Sequence, residues 1–298
     1  MQNIPEMTKF IKSFRLQDSD SRFTRVLLQL FGFLGHGKSS FINTCKYVLD
    51  DAEYKIYADV KLSDGGNTTE RITYPLTDAL TLVDNRGCSI MNEYETGEIF
   101  AQLGNLLPFE KKVEWSRGNG LVDRIVESEP FIQTSDFIFP IFVYSVKKGL
   151  SFAEAPEIRD LLYTARDLTG IFPVVVLTHK THPNLRDVRA KFEDMDVERI
   201  FAIENFTPED HLKTRGKHEE VLNFLMEVIK DIDFRLERMP DPEEERKKRK
   251  KFVLTYVYNR EMKKKAEEVE RKCREEERKR EEERKREQQR SESKCTLQ

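Results

Sequence analysis

The sequence is poor in cysteine and contains no long apolar run. Its four cysteines, Cys45, Cys88, Cys273 and Cys295, form no CxxC pair, so a zinc site is not expected. Residues 1–6 are polar and include a proline, so a secretory signal peptide is not expected either. No apolar run approaches the roughly 18 residues that a membrane-spanning helix needs. Together these absences predict a cytoplasmic protein with reduced thiols.

Charged residues, by contrast, are abundant and unevenly placed. They make up 35% of the 298 residues, against a usual share of about a quarter. From Glu243 to Lys294 there are 21 Lys and Arg against 15 Asp and Glu, although the whole chain has a net charge of −3. An acidic body with a basic tail predicts that the tail meets a negative surface, which could be an anionic membrane, nucleic acid or an acidic protein face.

Strand and helix patterns alternate along most of the chain. The predicted strands are residues 25–33, 55–62, 79–84, 137–146, 172–179 and 199–204. The predicted helices are residues 6–14, 38–49, 99–106, 153–167, 184–193 and 218–236. Such alternation predicts an α/β fold with a mostly parallel sheet that has helices on both faces.

A proline-rich stretch around residue 240 marks a boundary, because proline cannot continue a helix. Beyond it the six-residue unit EEERKR occurs twice, at residues 275–280 and 281–286. With almost nothing apolar to bury, this segment is interpreted as a solvated, self-supporting helix or as a partly disordered arm. The predicted division is an N-terminal helix and loop (1–22), a nucleotide-binding domain (23–240), a charged helical tail (241–294) and a C-terminal signal (295–298).

Residues 32–39, GFLGHGKS, match G-x-x-x-x-G-K-[ST], the phosphate-binding P-loop, between a strand pattern and a helix pattern. Backbone N–H groups of such a loop bind phosphate, the lysine adds positive charge, and the hydroxyl binds Mg²⁺. The alternative is a glycine-rich turn that binds nothing. The predicted phosphate-binding residues are Gly32, Gly35, His36, Gly37, Lys38, Ser39 and Ser40, with the His36 side chain expected to point to solvent.

A second motif follows the strand 79–84. Asp84 and Gly87 form D-x-x-G, in which the carboxylate holds a Mg²⁺-bound water and the glycine N–H approaches the γ-phosphate. Residues 65–69, GGNTT, are interpreted as a mobile first switch, with Thr69 favoured over Thr68 as the ligand; the alternative is an ordinary hairpin loop. The predicted catalytic residues are Lys38, Thr69 and Gly87, and the predicted metal ligands are Ser39, Thr69 and Asp84.

Two neighbouring positions bear on hydrolysis. Cys88 stands where small GTPases place a glutamine that orients the attacking water, so hydrolysis is expected to be slow. Arg86 could act as an arginine finger, but an arginine at this place is more often a surface or packing residue.

Guanine is usually bound by [NT]-K-x-D after a strand. Here strand 172–179 ends in Thr178-His179-Lys180-Thr181, which has no Asp, and Glu204 and Asn205 follow the last strand. The predicted base-binding residues are Thr178, His179, Lys180, Glu204 and Asn205. GTP is predicted to bind better than ATP, by a smaller margin than in proteins with the complete motif.

These motifs resemble the interferon-induced protein 44 family of GTPase-like proteins over about residues 20–240. The resemblance is carried by Asn67-Thr68-Thr69, Leu82-Val83-Asp84, Leu177-Thr178-His179 and the long segment after D-x-x-G. It implies a Ras-like P-loop NTPase fold, a three-layer sandwich, with GTP or GDP and Mg²⁺ as ligands. The family has an Asp where this chain has Thr181.

The last four residues, Cys295-Thr296-Leu297-Gln298, match the C-a-a-X signal with a farnesyl preference, an ending that resembles prenylated guanylate-binding proteins. The alternative is a free thiol on a frayed terminus. Because one prenyl chain binds a membrane only weakly, the basic residues 246–251 are expected to supply a second signal or, alternatively, to form a solvated helix face.

The sequence thus predicts Mg²⁺-dependent GTP binding with slow hydrolysis by a switch tethered to the cytosolic face of a membrane, in defence or trafficking. A homodimer or protein partner could bind through the switches or the tail, and nucleic acid is not expected. The alternative is a membrane-anchored interaction protein whose nucleotide is structural or absent.

Overall fold

A computed structural model describes residues 3–16, 22–50, 52–59, 70–88, 93–111 and 119–295. The strands are β1 (Arg25–Phe31), β2 (Ile72–Pro75), β3 (Leu80–Asp84), β4 (Asp136–Ser145), β5 (Val174–Thr178) and β6 (Ile200–Ile203). The helices are α1 (Ile4–Ser13), α2 (Lys38–Leu49), α3 (Glu93–Leu103), α4 (Asn119–Ser128), α5 (Glu154–Thr169), α6 (Leu185–Glu193), α7 (Arg215–Leu236) and α8 (Pro242–Cys295). Helix α4 was not predicted from the sequence.

The strands form one sheet in the order β2-β3-β1-β4-β5-β6. All neighbours pair in parallel except β2 and β3, which are antiparallel. The prediction of an α/β fold with a mostly parallel sheet is confirmed. Because β1 lies between β3 and β4, the strand order reverses at β1, and in such sheets ligands bind outside the carboxyl ends of the strands at this place.

Alternate residues of the central strands are buried on opposite faces of the sheet. Val26, Leu28 and Leu30 of β1 belong to the large core, which also includes residues of α1, α2 and α7. Leu27 instead packs on the opposite face with Val83 of β3 and Ile138 of β4. Burial of both faces explains why these strands are apolar throughout.

The predicted strand 55–62 is wrong over its described part, because residues 55–59 are not in a strand. Asn43 of α2 provides the hydrogen bonds that a neighbouring strand would have provided. Its Oδ1 accepts from the N–H groups of Tyr57 and Ala58, both at 2.8 Å, and its Nδ2 donates to the Ala58 carbonyl at 2.9 Å. Strand β2, and not the segment 55–59, pairs with β3 on the side away from β1.

The chain divides into two compact units, Met1–Leu254 and Thr255–Gln298. The first unit therefore includes the first turns of α8, and Val253 there is buried. Arg249 Nε donates to the Gly104 carbonyl at 3.1 Å, and Arg246 and Lys250 form ion pairs with Glu129. Part of the basic cluster 246–251 thus packs inside the first unit, an arrangement that the sequence did not indicate.

The second unit consists of the remainder of α8, so the helical interpretation of the tail is confirmed as far as Cys295. Ion pairs four residues apart line it, such as Glu281 with Lys285 at 2.7 Å and Glu268 with Lys272 at 2.8 Å. Each such pair adds a few tenths of a kcal/mol, about 0.2–0.5. Within the described ranges, no helix is long and apolar enough to cross a membrane.

Candidate functional site

The P-loop lies between β1 and α2, where the strand order reverses. Gly32 has a φ of +138°, and a Cβ there would lie 2.5 Å from the Val143 carbonyl oxygen. Only glycine therefore fits at the point where the loop leaves β1 beside β4. Gly37, with a φ of +90°, ends the loop as the N-cap of α2.

No side chain caps the first turn of α2, so its backbone N–H groups are available to an anion. Gly37 provides no capping side chain, and the first turn contains no acidic residue. Helix α1 shows the contrast, because Asn3 and Glu6 form a complete capping box there. An uncapped helix N-terminus with a partial positive charge favours a phosphate.

Lys38 is buried beneath the loop, with 6% of its surface exposed. Its Nζ donates to the Phe33 carbonyl at 2.9 Å and to the Gly32 carbonyl at 3.4 Å. Burial lowers its pKa, and the nearby Asp84 carboxylate acts in the opposite direction. A buried ammonium group is costly unless anions accompany it; Asp84 is one such anion, and a phosphate would add a second.

Ser39 and Asp84 meet beside Lys38. The Ser39 hydroxyl donates to Asp84 Oδ2 at 2.7 Å, and Asp84 is 2% exposed. Burial raises the pKa of Asp84, whereas Lys38 and the Ser39 hydrogen bond lower it. Oδ1 of the same carboxylate is buried, and among the described residues it has no hydrogen-bond partner. Buried acceptors normally have a partner, and a carboxylate oxygen beside a hydroxyl could coordinate a divalent cation.

In the described part of the chain, no three His, Cys, Asp or Glu side chains are placed so that they could hold a metal ion together. Mg²⁺ does not require one, because it usually binds through one or two carboxylates, waters and the phosphates of its ligand. Ser39 and Asp84 therefore suit Mg²⁺ that arrives with a nucleotide, rather than a metal held by protein alone.

The D-x-x-G loop pairs with the P-loop through its backbone. The N–H of Leu34 donates to the Cys88 carbonyl at 2.9 Å, and the N–H of Cys88 donates to the Gly32 carbonyl at 3.3 Å. The Cys88 thiol is buried 3.8 Å from the Gly32 oxygen, and burial raises its pKa to about 12. The thiol is therefore a packing group rather than a nucleophile. The Arg86 N–H donates to Gln102 Oε1 at 3.0 Å.

His36 does not point to solvent, so that expectation is wrong. The ring is 6% exposed and lies between Phe33 and Tyr144, with centroid distances of 5.0 and 4.7 Å. Its Nδ1 accepts a hydrogen bond from the Ser145 N–H at 3.2 Å. Burial, followed by the charge of Lys38, lowers the pKa of His36 to about 3, so the ring is neutral. It packs beneath the loop rather than over its ligand side.

The loops after β5 and β6 contact the P-loop from the other side. The Thr178 hydroxyl donates to the His36 carbonyl at 3.0 Å, and Asn205 Nδ2 donates to the Gly37 carbonyl at 3.4 Å. His179 adopts a φ of +60°, and its Nδ1 lies 3.0 Å from the Ser145 hydroxyl. Lys180 forms an ion pair with Glu220 of α7.

Most of the predicted site residues therefore lie together at the carboxyl ends of the strands. Ser40 lies in the first turn of α2, and its carbonyl accepts from the Thr44 hydroxyl at 2.9 Å. Thr68 and Thr69 lie outside the described residues, as do the last three residues of the C-a-a-X signal. Cys295 is described only as the last residue of α8.

Arg71 is the main residue at this site that the sequence did not single out. It is fully buried, and burial lowers its pKa to about 9. Its guanidinium donates to Asn85 of the D-x-x-G loop at 2.9 Å and to the Gln102 carbonyl at 2.9 Å. The further acceptors are Gln29 Oε1, Asn105 Oδ1 and the Leu107 carbonyl. This cluster joins the D-x-x-G loop to the segment that follows α3.

Comparison with known proteins adds no relative: no protein-family model matches this chain, and no curated protein does.

Proposed function

We propose that the first unit is a Ras-like P-loop nucleotide-binding domain that binds GTP with Mg²⁺ and hydrolyses it slowly. The observation that carries the proposal is the Ser39–Asp84 pair beside Lys38, in which Asp84 Oδ1 is buried and has no hydrogen-bond partner within the described ranges. A triphosphate with its metal would add an anion beside Lys38 and a cation beside Asp84. A turn that binds nothing would leave these two buried charges with only each other for electrostatic compensation.

Each residue has a distinct role in the proposal. The uncapped N–H groups of α2 and the Lys38 ammonium bind the phosphates. Ser39 and Asp84 hold Mg²⁺, which when bound neutralises charge that develops on the phosphates. The Gly87 backbone approaches the terminal phosphate beside Lys38, and Thr69 is proposed to complete the site.

Slow turnover is proposed because Cys88, the residue that follows Gly87, is not suited to orienting the attacking water. The Cys88 thiol faces the Gly32 carbonyl inside the protein. That observation also favours the second candidate function, a membrane-anchored interaction protein whose nucleotide is structural. In either case we propose that Cys295 carries a farnesyl group and that the protein acts on the cytosolic face of a membrane.

Titration of the purified full-length chain with fluorescent GTP, GDP and ATP, with and without Mg²⁺, tests the proposal. Lys38→Ala and Ser39→Ala should abolish binding while circular dichroism shows an intact fold. Lys46→Ala is the matched control, since Lys46 lies in the last turn of the same helix and donates to the Pro75 carbonyl. Unchanged affinity in both active-site variants would overturn the assignment.

A further inference from the structure

The place where an aspartate is missing is occupied by a carboxylate from another loop. Thr181, the fourth residue of the motif after β5, donates twice to Glu204, which follows β6. Its backbone N–H and its hydroxyl each lie 2.9 Å from Glu204 Oε2. The threonine thus holds an acid at the position where the family motif would carry its own.

The loop that carries Glu204 is fixed to the P-loop by the next residue. Asn205 Nδ2 donates to the Gly37 carbonyl at 3.4 Å, and Asn205 Oδ1 accepts from the Thr44 hydroxyl of α2 at 3.3 Å. Thr178, three residues before Thr181, is bonded to the His36 carbonyl. The chain is therefore tied to the P-loop both at the end of β5 and after β6, and Glu204 directly precedes Asn205.

The Glu204 carboxylate can also accept further hydrogen bonds. Both bonds from Thr181 use Oε2, and among the described residues Oε1 has no hydrogen-bond partner. The side chain is half-buried, so a ligand can reach it. A carboxylate is an acceptor only. Guanine presents two adjacent donors, N1–H and the N2 amino group, whereas adenine presents an acceptor at N1.

We propose that Glu204, positioned by Thr181, is the specificity-determining residue of this site and selects guanine over adenine. The inference rests on the proposed nucleotide binding and adds to it the identity of the base. It replaces the earlier expectation that guanine preference is weakened by the absence of an aspartate at position 181. The acid is present, but it comes from the loop after β6.

The test measures the affinities of GTP, ITP and ATP for the full-length chain and its variants. Glu204→Gln should weaken GTP at least about tenfold and leave ATP unchanged, because an amide then faces the guanine donors. ITP, which lacks the N2 amino group, should bind the wild type more weakly than GTP does and should bind Glu204→Gln as GTP does. Glu209→Gln is the control, an exposed acid of the same loop.

A rescue variant separates this role from a structural one. In the Glu204→Gln background, Thr181→Asp should restore the preference for GTP, since the carboxylate then returns from the other loop. Thr181→Asp alone places two carboxylates side by side and should gain nothing. If Glu204→Gln keeps the wild-type ratio of GTP to ATP affinity while Lys38→Ala loses both, the base assignment is wrong and the phosphate site stands. If the wild type binds no nucleotide, both proposals fall.

Discussion

Gly87 and Lys38 approach each other so closely that no side chain fits between them: a Cβ at position 87 would lie 2.6 Å from Lys38 Nζ. The same Cβ would lie 3.0 Å from the Leu34 nitrogen and 3.1 Å from the Gly32 oxygen, so the backbone offers no room either. The D-x-x-G loop and the P-loop lysine are therefore in direct contact.

Gly87→Ala is expected to displace the Lys38 ammonium from the Phe33 carbonyl and to weaken triphosphate binding at least tenfold, or about 1.4 kcal/mol. Isothermal titration with GTP and Mg²⁺ measures the change. Gly216→Ala is the control, because a Cβ at position 216 in α7 meets nothing within 4 Å. Equal affinity in the two variants would contradict the close approach.

Cys88→Gln is expected not to accelerate hydrolysis, although it restores the residue that small GTPases use. Position 88 is fully buried, and its side chain faces the Gly32 carbonyl rather than the ligand side of the loop. Single-turnover measurements of phosphate release should give a slow rate for wild type and an equal or slower rate for the variant. A marked acceleration would show that residue 88 reaches the water.

Arg71→Met is expected to lower the free energy of unfolding by about 3 kcal/mol or more, since five buried acceptors each lose a hydrogen bond. Urea denaturation measures it. Arg159→Met is the matched control: Arg159 and its partner Asp196 are 51% and 69% exposed, and such pairs contribute about 0–1 kcal/mol. Similar losses in both variants would mean that the buried cluster is not what stabilises this region.

His36 should make stability depend on pH in acid. Its folded pKa, about 3, lies below the ordinary value of 6.5. Between these values the unfolded chain binds a proton that the folded chain does not, so stability falls as pH falls from 6.5 towards 3, by up to about 1.4 kcal/mol per pH unit. His36→Asn retains an acceptor for Ser145 and cannot titrate. Its unfolding free energy, measured against pH, should lack this part of the wild-type slope.

The basic residues at the start of α8 fall into two sets, one expected to affect membrane binding and the other to affect stability. Neutralising the exposed residues Lys247, Lys248 and Lys251 should weaken binding of the farnesylated protein to anionic vesicles, at about 1 kcal/mol for each charge near the surface. Stability should fall only slightly, because only the exposed ion pairs of Lys247 and Lys248 are lost. Arg249→Gln should instead lower stability, because the Gly104 carbonyl loses its donor.

Cys295→Ser should remove the farnesyl group and release the protein from membranes in fractionated animal cells. Mass spectrometry of the wild-type protein from the same cells identifies the modification. An unmodified C-terminus in soluble wild-type protein would remove the membrane from the proposed function.

Sequence patterns predicted the parts of this fold that depend on local periodicity. The apolar runs at β1, β4 and β5 and the glycine spacing of the P-loop are each contained within about ten residues. The prediction of a strand at residues 55–59 was wrong because apolar residues also occur in irregular segments. Here the side chain of Asn43 forms the hydrogen bonds with the backbone of Tyr57 and Ala58. Periodicity reports burial and cannot identify the partner of a backbone group.

The contacts at the site were less predictable, because they join residues that are far apart in the chain. His36 is buried by Tyr144 and Ser145, more than 100 positions away. Arg71 is compensated partly by main-chain carbonyls of residues 102 and 107, and main-chain groups are the same in every sequence. The Thr181–Glu204 pair likewise requires the adjacency of β5 and β6.

The P-loop is anchored on both flanks, by Cys88 on one side and by Thr178 and Asn205 on the other. Its conformational entropy is therefore lost when the chain folds and not when an anion arrives. Binding of an anion to this loop should therefore not include the entropy cost of ordering a flexible glycine-rich segment. An anion that binds there, as proposed, would have to fit the shape that the loop already has.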